Sequence, residues 1–302
     1  MTLVWLPFDP AELGDPPTAF SYEVVPGLDD VPSSVGDVEI FVPPYSVGPE
    51  VRDVLPMMSS LRIVQTLTAG VDNLRDVVPE GVLLCNGRGI HDTSTAELVL
   101  TLVLASLRGV PEFVRAQDRN AWRPGWHPAL ADRTVLLVGY GAIGAAVEAR
   151  LAPFECSVVR VARSARDGVH AIAELPDLLP DADVVVLVLP LTDDTRGLVD
   201  AGFLSRMKDG ALLVNVARGP VVDTDALVEA LRTERVRAAV DVTDPEPLPP
   251  DSPLWDCPGL LVSPHVGGSS SAMWPRAHRL VRDQLHRIAA GEDPVNIMTG
   301  DY

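Results

Sequence analysis

The apolar positions of the chain follow two different patterns. Residues 1 to about 90 contain short apolar runs between turn-rich or weakly helical segments, such as "TLVWLPF", "DVEIFVPP", "LRIVQTLTAG" and "VLLCNG". This alternation predicts a small α/β domain. From Thr134 the runs become longer and more regular: "TVLLVG", "SVVRVA", "ADVVVLVLP", "ALLVNVA", "VRAAVDV" and "GLLVSPH". Continuous Val and Leu without alternation is typical of strands covered on both faces, and helical segments separate these runs, so this part predicts a doubly wound parallel sheet.

A third segment, "DTSTAELVLTLVLASLR", lies between these two patterns. Ser94 and Glu97 have the spacing of a capping box, and the helix that would follow is apolar almost all round. Such a helix must be buried, either between domains or against another subunit. Its uncharged run from Leu98 to Leu107 is too short to span a bilayer.

Composition narrows the classes of protein and partner. The chain has 302 residues, which exceeds the usual size of one hydrophobic core, so two domains are expected. Its net charge of -18 argues against nucleic acid and anionic membranes as partners, because both require a basic patch. The cysteines Cys85, Cys156 and Cys257 have no CxxC or CxxH spacing, so neither a disulfide framework nor a metal site is indicated. We expect buried thiols in a reducing, cytoplasmic compartment.

The second sheet opens with "TVLLVGYGAIGAAVEARL", where Gly139, Gly141 and Gly144 form GxGxxG between an apolar strand and a helix. In this context the first glycine permits a tight turn, the second lets the backbone approach a pyrophosphate, and the third lets helix and strand pack closely. The phosphates would lie at the positive end of the helix. The alternative is a plain strand, turn and helix with accidental glycines. We predict a dinucleotide site that comprises Gly139, Tyr140, Gly141, Ala142, Ile143 and Gly144.

The later strands of this sheet end in residues suited to chemistry, at the carboxyl edge where ligands of open α/β sheets bind. Arg218 follows "ALLVNVA", and its planar guanidinium suits a bidentate carboxylate contact. Asp241 ends "VRAAV", and His265 ends "GLLVSP". Taken singly, the arginine could form a surface salt bridge and the histidine could be structural. Because all three would converge on one crevice, we predict that they act together.

One carboxylate, Glu246, lies between two prolines in "DVTDPEPLPPDSPLW". Proline fixes φ and removes rotational freedom, so this loop can hold the glutamate in one place without regular secondary structure. A fixed carboxylate beside an imidazole favours the protonated ring and sets its orientation. The alternative is a rigid turn whose glutamate points to water.

The end of the second strand of this sheet bears on the choice of cofactor. An NAD-preferring fold usually has an acidic residue about 20 residues beyond the glycines, where it binds the adenosine ribose hydroxyls. Here the strand ends "VVRVARSARDG", with Ala162 at the expected place and Arg163, Ser164 and Arg166 following. Two guanidiniums and a hydroxyl would pair with a 2′-phosphate, so we predict a preference for NADP(H), with NAD(H) also accepted. The alternative is that these arginines form only a solvated strand end.

On these motifs the chain resembles the D-isomer-specific 2-hydroxyacid dehydrogenases. The resemblance covers nearly the whole chain and rests on "GYGAIG", "LPLTDDTRGLV", "GALLVNVARGPVVDTDALVEAL", "DVTDPEPLPPDSPLW" and "VSPHVGGSS". The loop around Glu246 is most similar to glyoxylate/hydroxypyruvate reductases. Together with the apolar pattern, the resemblance implies an α/β protein of two domains. These are a Rossmann-type doubly wound parallel sheet over residues 94–270 and a smaller flavodoxin-like α/β substrate domain over residues 1–93 and 271–302.

The resemblance also implies roles for individual residues. His265 would be the catalytic acid/base, assisted by Glu246, and Arg218 would bind the substrate. Backbone amides of the loop "TLTAGVDNL" would meet the substrate carboxylate, at Ala69, Gly70 and Val71. Asp241 would hold the nicotinamide amide, and the residues expected to line the cofactor are Pro190, Thr195 and Ala217.

The implied activity is NAD(P)H-dependent reduction of a small 2-keto acid, of the glyoxylate or hydroxypyruvate kind, to the D-2-hydroxy acid by a homodimer. Two other interpretations stay open: a dehydrogenase of the formate or phosphite type, and a nucleotide-sensing or corepressor protein without turnover. The intact arginine, glutamate and histidine set disfavours the sensor, which has no need of all three. Arg88 and His91, in "NGRGIHD", are unusual near the expected substrate cleft and could change substrate choice.

Overall fold

The computed structural model describes residues 1–45 and 47–299 and divides the chain into two compact units. Unit 1 comprises Met1–His91 and Ser271–Tyr302, and unit 2 comprises Asp92–Ser270. Each unit has its own parallel sheet and its own buried clusters. The functional roles expected of the two parts stay predictions at this point.

Strands and helices alternate along most of the chain. The strands of unit 1 are β1 (Thr2–Leu6), β2 (Phe20–Val24), β3 (Val38–Phe41), β4 (Ile63–Gln65) and β5 (Leu83–Cys85). Those of unit 2 are β6 (Thr134–Val138), β7 (Ser157–Ala162), β8 (His170–Ala171), β9 (Val184–Leu187), β10 (Leu212–Asn215), β11 (Arg237–Val240) and β12 (Leu260–Val262). The α-helices are α1 (Val51–Val54), α2 (Asp92–Arg108), α3 (Val110–Gln117), α4 (Ala142–Leu151), α5 (Leu175–Leu178), α6 (Ala201–Arg206), α7 (Thr224–Arg232) and α8 (Met273–Ala289).

The sheet of unit 1 has the order β2-β1-β3-β4-β5, and its neighbouring strands run parallel. This is the flavodoxin-like order, so the predicted smaller α/β fold is confirmed. Helix α8 has the buried residues Met273, Ala277, Val281 and Leu285 at four-residue spacing. This stripe belongs to the same buried cluster as Val4 of β1. The basic helix is therefore attached to unit 1 by one apolar face.

The sheet of unit 2 has the order β12-β11-β10-β9-β6-β7-β8, again with parallel neighbours. The chain enters this sheet at the central strand β6 and continues to β8 at one edge. It then returns to β9, on the other side of β6, and ends at β12 on the opposite edge. This arrangement confirms the predicted doubly wound sheet. On β6, Val135 and Leu137 enter one buried cluster, whereas Leu136 and Val138 enter another. Because both faces of the strand are covered, the sequence shows continuous apolar residues instead of alternation.

Helix α2 packs against elements of its own unit. It contacts α4 and the strands β10 and β11, which all belong to unit 2. Its buried apolar side chains include Val99, Leu102 and Val103. These contacts account for one face of the helix, whereas Thr101 is exposed. The burial between domains or against another subunit that the sequence suggested stays a prediction.

The capping box predicted for this helix is wrong. Helix α2 begins at Asp92, so Ser94 lies within its first turn. A capping residue must lie outside the helix, because its side chain bonds to amide groups two or three residues further on. Glu97 is exposed and forms an ion pair with Arg150 of α4, with 3.5 Å between Oε1 and Nη2.

Within residues 1–45 and 47–299, no helix is long and apolar enough to cross a membrane. The same residues contain no group of three or more His, Cys, Asp or Glu side chains that could hold a metal ion. Cys85 and Cys257 are buried free thiols, as expected, whereas Cys156 is only partly buried. Burial raises the pKa of Cys85 to about 11, which keeps this thiol protonated and unreactive.

A polar cluster at the amino ends of the strands of unit 2 holds their starting points together. Asp183, just before β9, accepts hydrogen bonds from the backbone amide of Thr134 (3.0 Å), from Arg133 (2.9 Å) and from Lys208 (2.8 Å). Burial acts to raise the pKa of Asp183, but the hydrogen bonds from Lys208, Thr134 and Arg133 outweigh it and lower that pKa. The ionised carboxylate thus joins segments that are far apart in sequence.

We expect Asp183→Asn to lower the free energy of unfolding by about 1–3 kcal/mol at neutral pH, since it weakens charge-assisted hydrogen bonds to a mostly buried group. The pKa is lower in the folded protein, so the stabilisation is present above the ordinary value of 3.8 and is lost as the pH falls through the folded value. Urea unfolding followed by circular dichroism at neutral and acidic pH measures both effects. Asp181→Asn, at an exposed neighbouring position, is the control and should leave stability nearly unchanged.

Candidate active site

The glycine loop joins β6 to α4 and has the shape that a dinucleotide requires. Gly139 has a φ of 106°, and a Cβ there would lie 2.5 Å from the carbonyl oxygen of Val188. A Cβ on Gly144 would lie 2.4 Å from the carbonyl oxygen of Gly139, so helix and strand pack at backbone distance. Gly141, at the start of α4, has open space beside it. The loop therefore offers close packing at its two ends and room for a pyrophosphate at the helix N-terminus.

The end of β7 is basic, as the sequence predicts. The strand ends at Ala162, and Arg163, Ser164 and Arg166 follow as exposed residues. The Nη2 atom of Arg166 donates a hydrogen bond to the carbonyl oxygen of Tyr140 in the glycine loop, at 2.6 Å. The structure thus brings one of the two arginines to the glycine motif.

The segment after β9 continues from the strand that adjoins β6. Thr195 is buried, and its hydroxyl donates to the carbonyl oxygen of Pro190 at 2.7 Å and accepts from the amide of Thr192 at 2.8 Å. Pro190 itself is exposed. The threonine closes this loop, next to the strand that carries the glycines.

Arg218 lies on a turn that a buried asparagine organises. Asn215, at the end of β10, donates from Nδ2 to the carbonyl oxygen of Arg218 at 3.1 Å. Its Oδ1 accepts from the amide of Ala217 at 3.0 Å. Nη1 of Arg218 bonds to the carbonyl oxygen of Ala217 at 2.8 Å. Asn215 is a positioning residue that the sequence reasoning missed, although a polar residue ending the apolar run "ALLVN" was a visible signal.

The turn of Arg218 packs directly on the loop that carries Glu246. A Cβ on Gly219 would lie 1.9 Å from the carbonyl oxygen of Thr243, so only glycine permits this approach. The Glu246 loop is also held by Thr224, whose hydroxyl donates to the carbonyl oxygen of Asp244 at 2.9 Å. The two loops are therefore built as one assembly.

Asp241 is buried and organises the segment that ends β12. One carboxylate oxygen accepts from the hydroxyl of Ser263 at 2.6 Å and from the amide of Val266 at 2.9 Å. The other oxygen accepts from the amide of Gly267 at 2.8 Å. The carbonyl oxygen of Asp241 also accepts from the amide of His265 at 2.8 Å. The sequence reasoning found the aspartate but missed Ser263 and this organising role.

His265 and Glu246 form the contact that the sequence predicts. Nδ1 of His265 lies 2.5 Å from Oε1 of Glu246, so the glutamate does not point only to water. The side chains are 47% and 40% exposed, so both can be reached by a small molecule. With Nδ1 facing the carboxylate, Nε2 is the ring nitrogen that can exchange a proton with a ligand. His265 has a φ of 53°, a conformation that non-glycine residues rarely adopt and that is often found at functional sites.

The loop expected to bind a carboxylate lies in unit 1 after β4. The carbonyl oxygens of Thr68, Ala69 and Gly70 accept hydrogen bonds from protein groups, among them the amide of Gly87 (2.7 Å), the side chain of Asn86 (3.0 Å) and the hydroxyl of Thr68 (2.8 Å). Val71 is buried, whereas Ala69 and Gly70 are partly exposed. The protein itself therefore engages these three carbonyl oxygens, and the contact of the loop's amides with a substrate carboxylate stays a prediction.

The two unusual residues of this unit differ in burial. Arg88 is exposed, and its carbonyl oxygen accepts from Asn296 at 3.1 Å. His91 is buried, its Nε2 lies 2.9 Å from the carbonyl oxygen of Leu67, and its ring lies 5.5 Å from that of Tyr45. His91 therefore contacts the backbone just before the predicted carboxylate loop, and Arg88 is the one of the two that is open to solvent.

Comparison with known proteins identifies the family. Residues 100–267, more than half of the chain, match the family described as D-isomer specific 2-hydroxyacid dehydrogenase, NAD binding domain. The chain belongs to the D-isomer specific 2-hydroxyacid dehydrogenase family. It is accordingly an oxidoreductase of the NAD(P)-dependent D-2-hydroxyacid dehydrogenase or 2-keto acid reductase class.

Individual members of the family resemble most of the chain. A glyoxylate reductase of Korarchaeum cryptofilum is 33% identical over 261 residues, covering 82% of this chain and 78% of the relative. A D-isomer specific 2-hydroxyacid dehydrogenase from Xanthobacter autotrophicus Py2, solved with NADPH and MES, aligns at a TM-score of 0.84 and 31% identity over 99% of this chain and 98% of that one. An NADPH-dependent glyoxylate/hydroxypyruvate reductase from Sinorhizobium meliloti, solved with NADP and sulfate, aligns at a TM-score of 0.84 and 26% identity. This alignment also covers 99% of this chain and 98% of that one.

Proposed function

We propose that the protein reduces a small 2-keto acid of the glyoxylate or hydroxypyruvate kind to the D-2-hydroxy acid, with His265 as the proton donor. The observation that carries this proposal is the 2.5 Å contact between His265 and Glu246 at the carboxyl end of the sheet that also carries the glycine loop. The glyoxylate reductase names of related proteins support this substrate class.

Each residue of the site has a task in this reaction. The glycine loop would hold a nicotinamide dinucleotide, which when bound would supply hydride to the carbonyl carbon. His265 donates a proton from Nε2 to the carbonyl oxygen, and Glu246 stabilises the imidazolium before transfer. Arg218 binds the carboxylate or carbonyl and stabilises the negative charge that develops on oxygen. We assign further contacts with the substrate carboxylate to the amides of Ala69, Gly70 and Val71.

The cofactor contacts are a separate set. We assign them to the residues of the glycine loop and to Asp241, Pro190, Thr195 and Ala217.

The substrate class is tested by following the absorbance of NADPH with a panel of 2-keto acids. We expect turnover with glyoxylate and hydroxypyruvate, and little with bulkier keto acids. Turnover of formate or phosphite with the oxidised cofactor, or cofactor binding without any turnover, would contradict the proposal.

Arg218→Lys should lower kcat/KM for the keto acid by roughly 30- to 1000-fold, because lysine keeps the charge but loses the two-pronged geometry. Binding of the cofactor, measured by quenching of tryptophan fluorescence, should change little. Arg279→Lys, an exposed position of α8 in unit 1, serves as the control for the same chemical change. Near-normal kinetics in Arg218→Lys would remove the arginine from the substrate site.

Glu246→Gln should lower kcat/KM for the keto acid by roughly 10- to 100-fold, because the amide orients the ring of His265 less firmly and stabilises its imidazolium less than the carboxylate does. Steady-state kinetics at neutral pH measure the change. Glu229→Gln, on an exposed position of α7, makes the same substitution away from the site and should leave kcat/KM nearly unchanged. An unchanged kcat/KM in Glu246→Gln would mean that the proline-rich loop is only a scaffold.

We propose a preference for NADP(H) over NAD(H), based on the exposed Arg163, Ser164 and Arg166 that follow Ala162. Arg163→Ala combined with Arg166→Ala should raise the KM for NADPH far more than the KM for NADH, since only NADPH carries the 2′-phosphate. Equal effects on the two cofactors, or a wild-type enzyme that favours NADH, would contradict this assignment.

We also propose that the enzyme is a homodimer, and a surface of unit 2 supports this. Trp122 and Trp126 are 95% and 103% exposed, and Phe113 of the preceding helix is 42% exposed. Exposed large aromatic side chains are typical of interfaces. Sedimentation velocity should give a dimer for the wild type and a monomer for Trp122→Ala combined with Trp126→Ala. A monomeric wild type would contradict the proposal.

The cytoplasmic location expected from the sequence stays a prediction.

A further inference from the structure

A polar network links the glycine loop to the basic end of β7, and its centre is Arg160, to which the site described above assigns no role. Arg160 lies on β7, and its Nε is 2.8 Å and 2.9 Å from the two carboxylate oxygens of Glu148 on α4. Its Nη1 donates to the carbonyl oxygen of Gly168 at 3.3 Å. Its guanidinium carbon also lies 5.5 Å from the ring centre of Tyr140. One side chain thus joins the helix, the glycine loop and the turn beyond β7.

The turn beyond β7 carries Arg166. The amide and carbonyl groups of Arg166 and Val169 exchange hydrogen bonds of 3.0 Å and 2.8 Å, and Gly168 between them has a φ of 66°. The carbonyl oxygen of this same Gly168 accepts from Arg160. A tight turn therefore fixes the backbone of Arg166, and Arg160 of β7 attaches that turn to the sheet.

The side chain of Arg166 is held by Tyr140. Its Nη2 donates to the tyrosine carbonyl oxygen at 2.6 Å, and its guanidinium carbon lies 5.9 Å from the ring centre. The hydroxyl of Tyr140 in turn donates to Glu148. The contacts form a closed circuit from Tyr140 through Glu148, Arg160 and the turn to Arg166 and back to Tyr140.

The charges of this circuit leave a positive group where a phosphate is expected. Glu148 is paired with Arg160. The hydrogen bond from Arg160 lowers the pKa of Glu148, burial acts in the opposite direction, and the hydrogen bond from Tyr140 lowers the pKa further. Glu148 is therefore ionised. The two charges offset one another. Arg166 contacts Tyr140 through a carbonyl and a ring, neither of which carries a formal charge, so these contacts do not neutralise it.

We propose that Tyr140, Glu148 and Arg160 are positioning residues that hold Arg166 ready for the 2′-phosphate of NADP(H), so that the glycine loop and the end of β7 set cofactor choice together. This inference rests on the proposed preference for NADP(H) and names the residues that produce it. A pre-positioned guanidinium loses less side-chain freedom on binding a phosphate than a mobile one, and the affinity rises accordingly.

The test compares ligands that differ by one phosphate. Binding of adenosine 2′,5′-bisphosphate and of adenosine 5′-monophosphate is measured by calorimetry, and the KM values for NADPH and NADH are measured with each variant. Tyr140→Leu should weaken binding of the bisphosphate relative to AMP, and raise the KM for NADPH relative to the KM for NADH, by about 5- to 30-fold, the range of a lost cation–π contact and its ordering. Tyr140→Phe keeps the ring and should recover a large part of this loss.

Glu148→Gln separates positioning from simple charge. Removal of a negative charge near the phosphate site would by itself tighten binding of the bisphosphate, whereas loss of the anchor for Arg160 and Tyr140 should weaken it. We expect weaker binding. Glu155→Gln, an exposed position in the same unit, makes the same change of charge away from the circuit and should have little effect. Thermal unfolding of each variant verifies that it is folded.

The outcomes distinguish this inference from the proposed cofactor preference. If the wild type binds the bisphosphate no better than AMP and favours NADH, both proposals fail. If the wild type favours NADPH and Arg166→Ala abolishes that preference, but Tyr140→Leu and Glu148→Gln do not, only the positioning role fails. An equal rise of the KM values for NADPH and NADH in Tyr140→Leu would likewise overturn the positioning role, since that result indicates general damage to the glycine loop.

Discussion

The candidate site depends on the buried carboxylate of Asp241. Its oxygens accept hydrogen bonds from the Ser263 hydroxyl and from the amides of Val266 and Gly267, while its own carbonyl accepts from the amide of His265. A buried carboxylate that lost these donors would be destabilised strongly, so the segment that follows β12 has to fold around it. This requirement holds His265 in a left-handed backbone conformation that a free loop would avoid.

The parallel sheet of unit 2 provides the second constraint. The registers pair Asn215 of β10 with Val240 of β11, and Val240 with Val262 of β12, so these three strands end side by side. Every loop that leaves their carboxyl ends emerges at the same edge. The contact of Gly219 with the backbone of Thr243 then joins two of these loops at a distance that no side chain would permit. The topology therefore brings the functional side chains to one edge of the sheet, and a few close contacts fix their loops.

Much of this arrangement was visible in the sequence, though unevenly. The doubly wound sheet, the glycine loop and the pairing of His265 with Glu246 were expected because each leaves a local signal of composition or spacing, whereas the flavodoxin-like form of the second sheet was implied by the family resemblance. The capping box at Ser94 and Glu97 was wrong, since Asp92 already lies in the helix and spacing alone does not locate a helix start. Ser263 was missed because its partner Asp241 is distant in sequence, whereas Asn215, whose partners lie in the turn directly after it, was missed although a polar residue ends its apolar run.

The sequence by itself determined the class of fold, the family and the kinds of chemical groups that the protein offers, because apolar periodicity and short motifs are local properties of a chain. Only the tertiary structure decided which of these groups meet. Arg160 and Glu148 are ordinary charged residues on a strand and a helix, and nothing near them in sequence indicates that both reach Tyr140. Such contacts follow from how strand, helix and turn pack in three dimensions, and hydrogen bonds between distant segments leave no periodic trace in the sequence.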